Sequence, residues 1–127
     1  MIELLAVGAG GFIGACLRFV ITRRASLLSS AFPWGTLLSN AAAGLLIGVL
    51  MGLEYRSPVL PPRVKLFLST GFLGGLSTFS TFSLETVLLF MDGRYISVFA
   101  NISANLGLSL SCAVIGMLAV NSLGFIR

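Results

Sequence analysis

The chain has no histidine, and only 9% of its 127 residues are charged. The first absence removes most metal centres and most general-base schemes. The second sets it apart from soluble domains, about a quarter of whose residues are charged. With 57% hydrophobic residues and a mean hydropathy of +1.04, a chain this short cannot hide its apolar surface from water, so it reads as an integral membrane protein. Nor does the sequence offer a nucleophile–base pair, paired carboxylates, a metal-ligand cluster or a phosphate-binding loop. Cysteine is scarce: Cys16 and Cys112 fall inside apolar segments, lack metal-like spacing and read as small packing residues. The eight basic residues are scattered and mostly flank apolar segments, which suits interfacial anchoring and topology rather than nucleic-acid binding.

What is present is four apolar segments, approximately 4–23, 33–53, 64–91 and 96–121. Each is long enough for a hydrocarbon core of ~30 Å. Pro33, Pro58, Pro61 and Pro62 lie at or between segment ends, and Asp92-Gly93 supplies the last turn. The loops are short, and the N-terminus, apolar with an early Glu3 and no basic stretch before it, reads as a retained first span. The expected fold is therefore an all-α membrane protein, a single four-helix transmembrane domain over residues 1–127.

The third segment is longer than one span needs, and its centre is polar: Gly74-Gly75-Leu76-Ser77-Thr78-Phe79-Ser80-Thr81-Phe82-Ser83. Adjacent glycines weaken a helix, and a run of hydroxyls follows at once. Irregular backbone at membrane depth is tolerated only where protein or a water-filled pathway covers it. The stretch predicts a helix broken near the bilayer midplane, lining a passage, with Phe79 and Phe82 facing into it.

Polar and small residues recur every fourth position: Gly10, Gly14 and Arg18; Thr36, Asn40, Gly44, Gly48 and Gly52; Asn101, Asn105 and Ser109. For the glycines, close helix packing is the preferred reading. Asn40, Asn105 and Ser109 suit either interhelical hydrogen bonding or a pathway lining. Arg18 is either a snorkelling anchor or an electropositive residue at a pore mouth. Glu85, the one acid inside a span, suits a partly hydrated carboxylate near a vestibule, with or without a basic partner, or a proton-coupling acid.

With four spans, Arg56, Arg63, Lys65 and Arg127 share one side of the membrane, and Arg18, Arg23, Arg24 and Arg94 the other. The balance leaves no positive-inside bias, so both orientations are open and an antiparallel dual-topology homodimer follows naturally. Hydroxyls at Ser77, Thr78, Ser80, Thr81 and Ser83, without a mid-span carboxylate to oppose them, suit an anion. Aromatic ring edges at Phe79 and Phe82 carry positive character and add to that, although two phenylalanines at this spacing also simply pack.

The run Gly74-Gly75-Leu76-Ser77-Thr78-Phe79-Ser80-Thr81-Phe82 closely resembles the signature of the Fluc fluoride channels, or CrcB family, as do Gly10-Gly11-Phe12-Ile13-Gly14 with Arg18, and Asn40. The resemblance covers essentially the whole chain. It implies a dual-topology dimer in the bacterial inner membrane with two parallel pores that export toxic fluoride passively. By position Phe79 and Phe82 resemble the pore-facing aromatic pair, Asn40 the pore asparagine, and Ser80 and Thr81 hydroxyls along the path. Gly74 and Ser77 resemble the carbonyl donors that, from both subunits, hold a central structural sodium ion. Ser77 replaces an expected threonine, an exchange to which a carbonyl ligand is indifferent. Asn101, Asn105 and Ser109 also fall on the implied path, but where the family often has an aromatic and a hydroxyl this chain has Asn101 and Asn105. Arg18 and Glu85 fall in the implied vestibules.

Rival readings are weaker. A small proton-coupled multidrug exporter needs an acid well inside its first span, and here only Glu3 stands at its edge. A non-transporting assembly subunit leaves the polar mid-helix stretch unexplained. Proton-coupled fluoride antiport through Glu85 is the closer competitor.

Overall fold

In a computed structural model the chain is described over residues 1–27, 31–56 and 60–122. Pro58 and Arg127 of the sequence reading lie outside these residues. Helix α1 (Ile2–Ala25) and helix α2 (Trp34–Arg56) each run two or three residues beyond the expected segments. Next come α3 (Pro62–Leu66), a π-helical segment Phe67–Leu73, and the short α4 (Gly74–Leu76). Ser77 and Thr78 are extended, and α5 (Phe79–Met91) and α6 (Tyr95–Ser122) complete the chain. The described residues are all-helical, and four stretches are long and apolar enough to cross a membrane: Ile2–Ala25, Trp34–Tyr55, Pro62–Met91 and Tyr95–Val120. The protein is a multi-pass membrane protein.

Local chemistry sets the ends. Pro62 occupies the first turn of α3, where a missing N–H costs nothing. Gly93 takes φ 71° in the turn from α5 to α6, a conformation that a side chain would strain. Two contacts tie neighbouring ends of the bundle. Arg94 donates to the carbonyl of Ala31, joining the entrance of α6 to that of α2. Lys65 pairs with Glu54 at 3.0 Å, and the other carboxylate oxygen accepts from the Leu60 N–H at 3.0 Å.

The distribution of polarity is inverted relative to a water-soluble protein. Thr36, Ser39, Asn101 and Asn105 are buried, while Leu4, Phe12, Phe19, Ile96, Phe99 and Leu110 are exposed. Lipid accepts those apolar side chains, so the driving force for association is close packing and internal hydrogen bonding rather than exclusion from water.

Glycines provide the close approach. On α2, Gly44, Gly48 and Gly52 lie against the α6 backbone at Ser109, Ala113 and Met117. Gly10 and Gly14 of α1 lie against the backbone between Phe67 and Leu76, and Gly71 and Gly75 of that stretch face α1 in return. The expected packing role of the glycine stripes is what these contacts show.

Two local features differ from the sequence reading. Gly74 and Gly75, expected to be the weak point, remain helical, and the extended residues are Ser77 and Thr78. The π-helical segment was not anticipated. It runs where α1 lies close, with Gly10 facing the Phe67 carbonyl and the Phe72 N–H and Gly14 facing the Phe72 carbonyl. Composition carries no signal for an i→i+5 turn, since such turns are set by tertiary contacts as much as by residue type.

A Cβ at Gly48 would stand 2.0 Å from the Ala113 carbonyl oxygen, whereas one at Gly107 meets nothing within 4 Å. Gly48→Ala is expected to force α2 and α6 apart and to destabilise by about 1–3 kcal/mol. Gly107→Ala is expected to be neutral or to stabilise by up to about 1 kcal/mol. Thermal unfolding of both variants in one detergent checks the contrast.

Candidate functional site

The extended pair Ser77–Thr78 brings backbone groups out of the helical ladder, and side chains from two other helices meet them there. Asn40, on α2, accepts from the Thr78 N–H at 2.8 Å through Oδ1 and donates to the Thr78 carbonyl at 3.3 Å through Nδ2. One amide thus holds both polar groups of the residue on which α5 begins. Thr78 in turn caps α5: its hydroxyl oxygen accepts from the Thr81 N–H at 3.3 Å. The Ser80 and Thr81 hydroxyls gather on the same oxygen at 3.3 and 2.9 Å.

A chain of hydrogen bonds continues from Asn40 through α6 and back to α5. Asn40 Nδ2 donates to Asn105 Oδ1 at 2.9 Å. Asn105 Nδ2 donates to both oxygens of Asn101, the side-chain Oδ1 at 2.8 Å and the backbone carbonyl at 3.1 Å. Asn101 Nδ2 donates to Thr86 Oγ1 at 2.9 Å, and that hydroxyl donates to the Phe82 carbonyl at 2.7 Å. Asn101 and Asn105 of α6 are deeply buried, at 0% and 4% exposure, and buried amides are tolerated only when paired in this way.

Beside this chain lies a cavity of ≈ 430 Å³ whose wall includes Asn40, Ser77, Phe79, Phe82, Asn105 and Ser109. Gly74 and Thr78 also border it. Amides, hydroxyls, aliphatic groups and two rings make up its described wall, and none of these side chains is charged. The Phe79 and Phe82 ring centroids are 5.5 Å apart with planes tilted by 52°. Phe82 is 8% exposed and Phe79 74%, so one ring is set in the bundle and the other stands at the open side. The Ser109 hydroxyl is buried and has no hydrogen-bond partner among the described residues. By contrast the Ser77 hydroxyl bonds the Leu73 carbonyl at 3.1 Å and that of Ser83 the Phe79 carbonyl at 2.9 Å, so both are occupied within their own helices.

The remaining candidates lie apart from this wall. Asn101, Ser80 and Thr81 do not border the cavity; they brace residues that do, or cap α5. The Arg18 Nε–H donates to the Gly75 carbonyl at 3.0 Å, so that its guanidinium ties α1 to the last turn before the extended pair. Glu85 lines a second cavity of ≈ 410 Å³ together with Trp34, Asp92 and Arg94. Its Oε1 accepts from the Thr36 hydroxyl at 2.9 Å, and among the described residues no basic side chain is within ion-pair reach of it.

Sequence reasoning missed Thr86 and the pairing of Thr36 with Glu85. A signal for the second was available, because Thr36 stands one helical turn before Asn40 on the polar stripe of α2. Thr86 had no such flag, standing just past the polar stretch 74–83, between Glu85 and the apolar run that begins at Val87.

Comparison with known proteins places these features in a family. A family model described as CrcB-like protein, Camphor Resistance (CrcB), matches residues 5–117. A Clostridium novyi (strain NT) protein is 43% identical over 117 residues, 91% of each chain. One from Clostridium perfringens (strain 13 / Type A) is 46% identical over 113 residues, 88% of each. A third, from Serratia proteamaculans (strain 568), is 43% identical over 118 residues, 93% of each. All three relatives bear the name fluoride-specific ion channel FluC. With the family model matched over residues 5–117 and these relatives 43–46% identical over 88–93% of both chains, the chain belongs to the CrcB family.

Proposed function

We propose that the protein is a passive, fluoride-selective channel of the bacterial inner membrane, working as an antiparallel homodimer with two pores and a central sodium ion. The observation that carries this reading is the wall of the larger cavity. It has no described charge, an unpartnered buried hydroxyl at Ser109, and the rings of Phe79 and Phe82. Donors without a fixed opposing charge favour an anion while leaving it free to move on. The names carried by the relatives narrow that anion to fluoride.

The donor inventory indicates how fluoride would pass. Both Nδ2 hydrogens of Asn40 are engaged, one on Asn105 at 2.9 Å and one on the Thr78 carbonyl at 3.3 Å. The longer bond is the weaker, and an entering anion takes that hydrogen with the smaller loss. Ser109 then supplies a free O–H, and positive ring edges at Phe79 and Phe82 replace further water. Fluoride is small and strongly hydrated, so closely spaced donors matter more for it than for chloride. Ser80 and Thr81 contribute by holding Thr78 in place. The extended pair lies near the middle of the 30-residue apolar stretch Pro62–Met91, which supports a position close to the bilayer midplane.

The dimer and the sodium ion draw support from the same geometry. In the single chain the cavity opens outward beside the exposed Phe79, and Gly74 is exposed as well, which leaves surface for a second copy to cover. Sodium requires free carbonyl oxygens. The Thr78 N–H, the ordinary helical donor to Gly74, is held by Asn40, and the Thr81 N–H, the ordinary donor to Ser77, is held by the Thr78 hydroxyl. The Gly74 and Ser77 carbonyls are thus deprived of their usual partners, as a carbonyl-coordinated cation needs. When bound, the ion would add positive potential and link the two chains.

Fluoride efflux from liposomes, with valinomycin and potassium to balance charge, tests the central reading. Rapid fluoride loss without chloride loss and without proton coupling is the expected result; proton flux in fixed ratio to fluoride would replace it with antiport. Phe82→Ile is expected to abolish efflux while the protein still elutes as a dimer, and undiminished flux would remove the aromatic role. Ser109→Ala removes the one free hydroxyl of the wall and is expected to slow efflux about tenfold, the effect of one hydrogen bond to an ion.

A further inference from the structure

The hydrogen bonds between Thr78 and Phe82 form a chain whose direction is set at both ends by the backbone. At one end the Thr78 N–H can only donate, so the Asn40 atom facing it is Oδ1 and the opposite corner of that amide is Nδ2. At the other end the Phe82 carbonyl can only accept, so the Thr86 hydroxyl spends its single proton there and presents a lone pair to Asn101. Asn101 must then offer Nδ2 to Thr86 and Oδ1 to Asn105, and Asn105 must offer Nδ2 to Asn101 and Oδ1 to Asn40. The two boundary conditions agree, and each amide has one allowed orientation. Asn101 is 0% exposed and does not border the cavity, so it holds nothing that passes through. Thr86 is likewise absent from the wall.

We propose that Thr86 is a positioning residue for the pore: its hydroxyl completes, through Asn101 and Asn105, the far end of the chain that holds in place the Asn40 amide already oriented by the Thr78 N–H. The same hydroxyl grips the Phe82 carbonyl, so one side chain ties the aromatic wall of the cavity to its amide wall. Without the hydroxyl, Asn101 Nδ2 loses its acceptor in a site sealed from water. The buried Asn101 amide then shifts to recover a partner, which loosens the bond that it accepts from Asn105 and, through Asn105, the bond from Asn40. The chain thereby assigns Asn101 a bracing role in place of contact with the passing ion. This inference rests on the fluoride-channel reading for its effect on flux, but not for its effect on the amides.

The test compares Thr86→Val, which keeps the shape and removes the hydroxyl, with Thr86→Ser, which keeps the hydroxyl. Two readouts are needed: fluoride efflux from liposomes, and the side-chain amide signals of 15N-asparagine-labelled protein in micelles. Thr86→Val is expected to slow efflux about tenfold and to shift the Asn40 and Asn105 amide signals, with Thr86→Ser restoring both to within about twofold or to the original position. Equal slowing by Val and Ser would overturn the proposal in favour of packing, as would slowed efflux with the Asn40 signal unmoved. Unchanged efflux with unmoved signals would overturn it outright. If Thr86→Val does not fold, Asn101→Leu cuts the next link and must produce the same Asn40 shift. Should the unmodified protein pass no fluoride, the channel reading fails alone, and the Asn40 signals still decide whether the relay exists.

Discussion

The structure depends on a single amide side chain satisfying both polar groups of one residue. A peptide unit in extended conformation within a membrane-spanning helix exposes an N–H and a C=O that lipid cannot solvate, each costing several kcal/mol if left alone. Asn40 takes both from Thr78. Because it holds the N–H, Gly74 loses its helical donor. Because Thr78 is thereby freed to cap α5, Ser77 loses its own. The interruption is therefore not a defect in helix propensity, and both glycines before it remain helical. It is a tertiary substitution of one acceptor for another, imposed from α2.

That substitution requires α2, α6 and the interrupted helix to sit close together, and the glycines permit it. Where Gly44 and Gly48 bring α2 against α6, Asn40, one turn earlier on the same stripe, comes within hydrogen-bonding reach of Asn105, and one turn before that Thr36 reaches Glu85 of α5. Packing and polar chemistry are consecutive positions of one helical face rather than separate properties. In lipid each such bond is worth only about 1 kcal/mol, so the site is held by several in series and not by one strong contact.

The membrane class, the four spans and the packing role of the glycines were legible because each is written as composition or as a repeat of four. The polar stretch at residues 74–83 was legible as an anomaly, an unlikely composition for lipid. What could not be read was why the helix gives way at Ser77, close to the middle of its segment, and not at the glycines before it. Local propensity points to Gly74 and Gly75, but propensity is a weak prior and the partner that decides the matter, Asn40, is far away in sequence. The same limitation hid Thr86. Its importance comes from facing Asn101 across a helix boundary, and sequence spacing within either helix says nothing about that. Asn101 shows the reverse error. Its place on the stripe marks it as polar and inward, but the sequence does not show that it sits behind Asn105, bonded to it and off the cavity wall.

The economy of donors bears on how such a site conducts. Several polar side chains converge on the cavity or its brace, yet the Asn40, Asn105 and Ser77 hydrogens are already committed to protein acceptors, and among the described side chains of the wall the buried Ser109 hydroxyl is the one left unpartnered. A wall of free donors would bind a small anion tightly and hold it. Under the proposed reading an anion would gain a donor such as Asn40 only by breaking its bond to the Thr78 carbonyl, so the net gain would be the difference between two hydrogen bonds and not the whole of one. Exchange of that kind would keep binding shallow while still replacing the water that the ion leaves behind. It would also make flux sensitive to the strength of internal bonds that never touch the ion, because whatever holds the Asn40 amide would set the cost of lending its hydrogen.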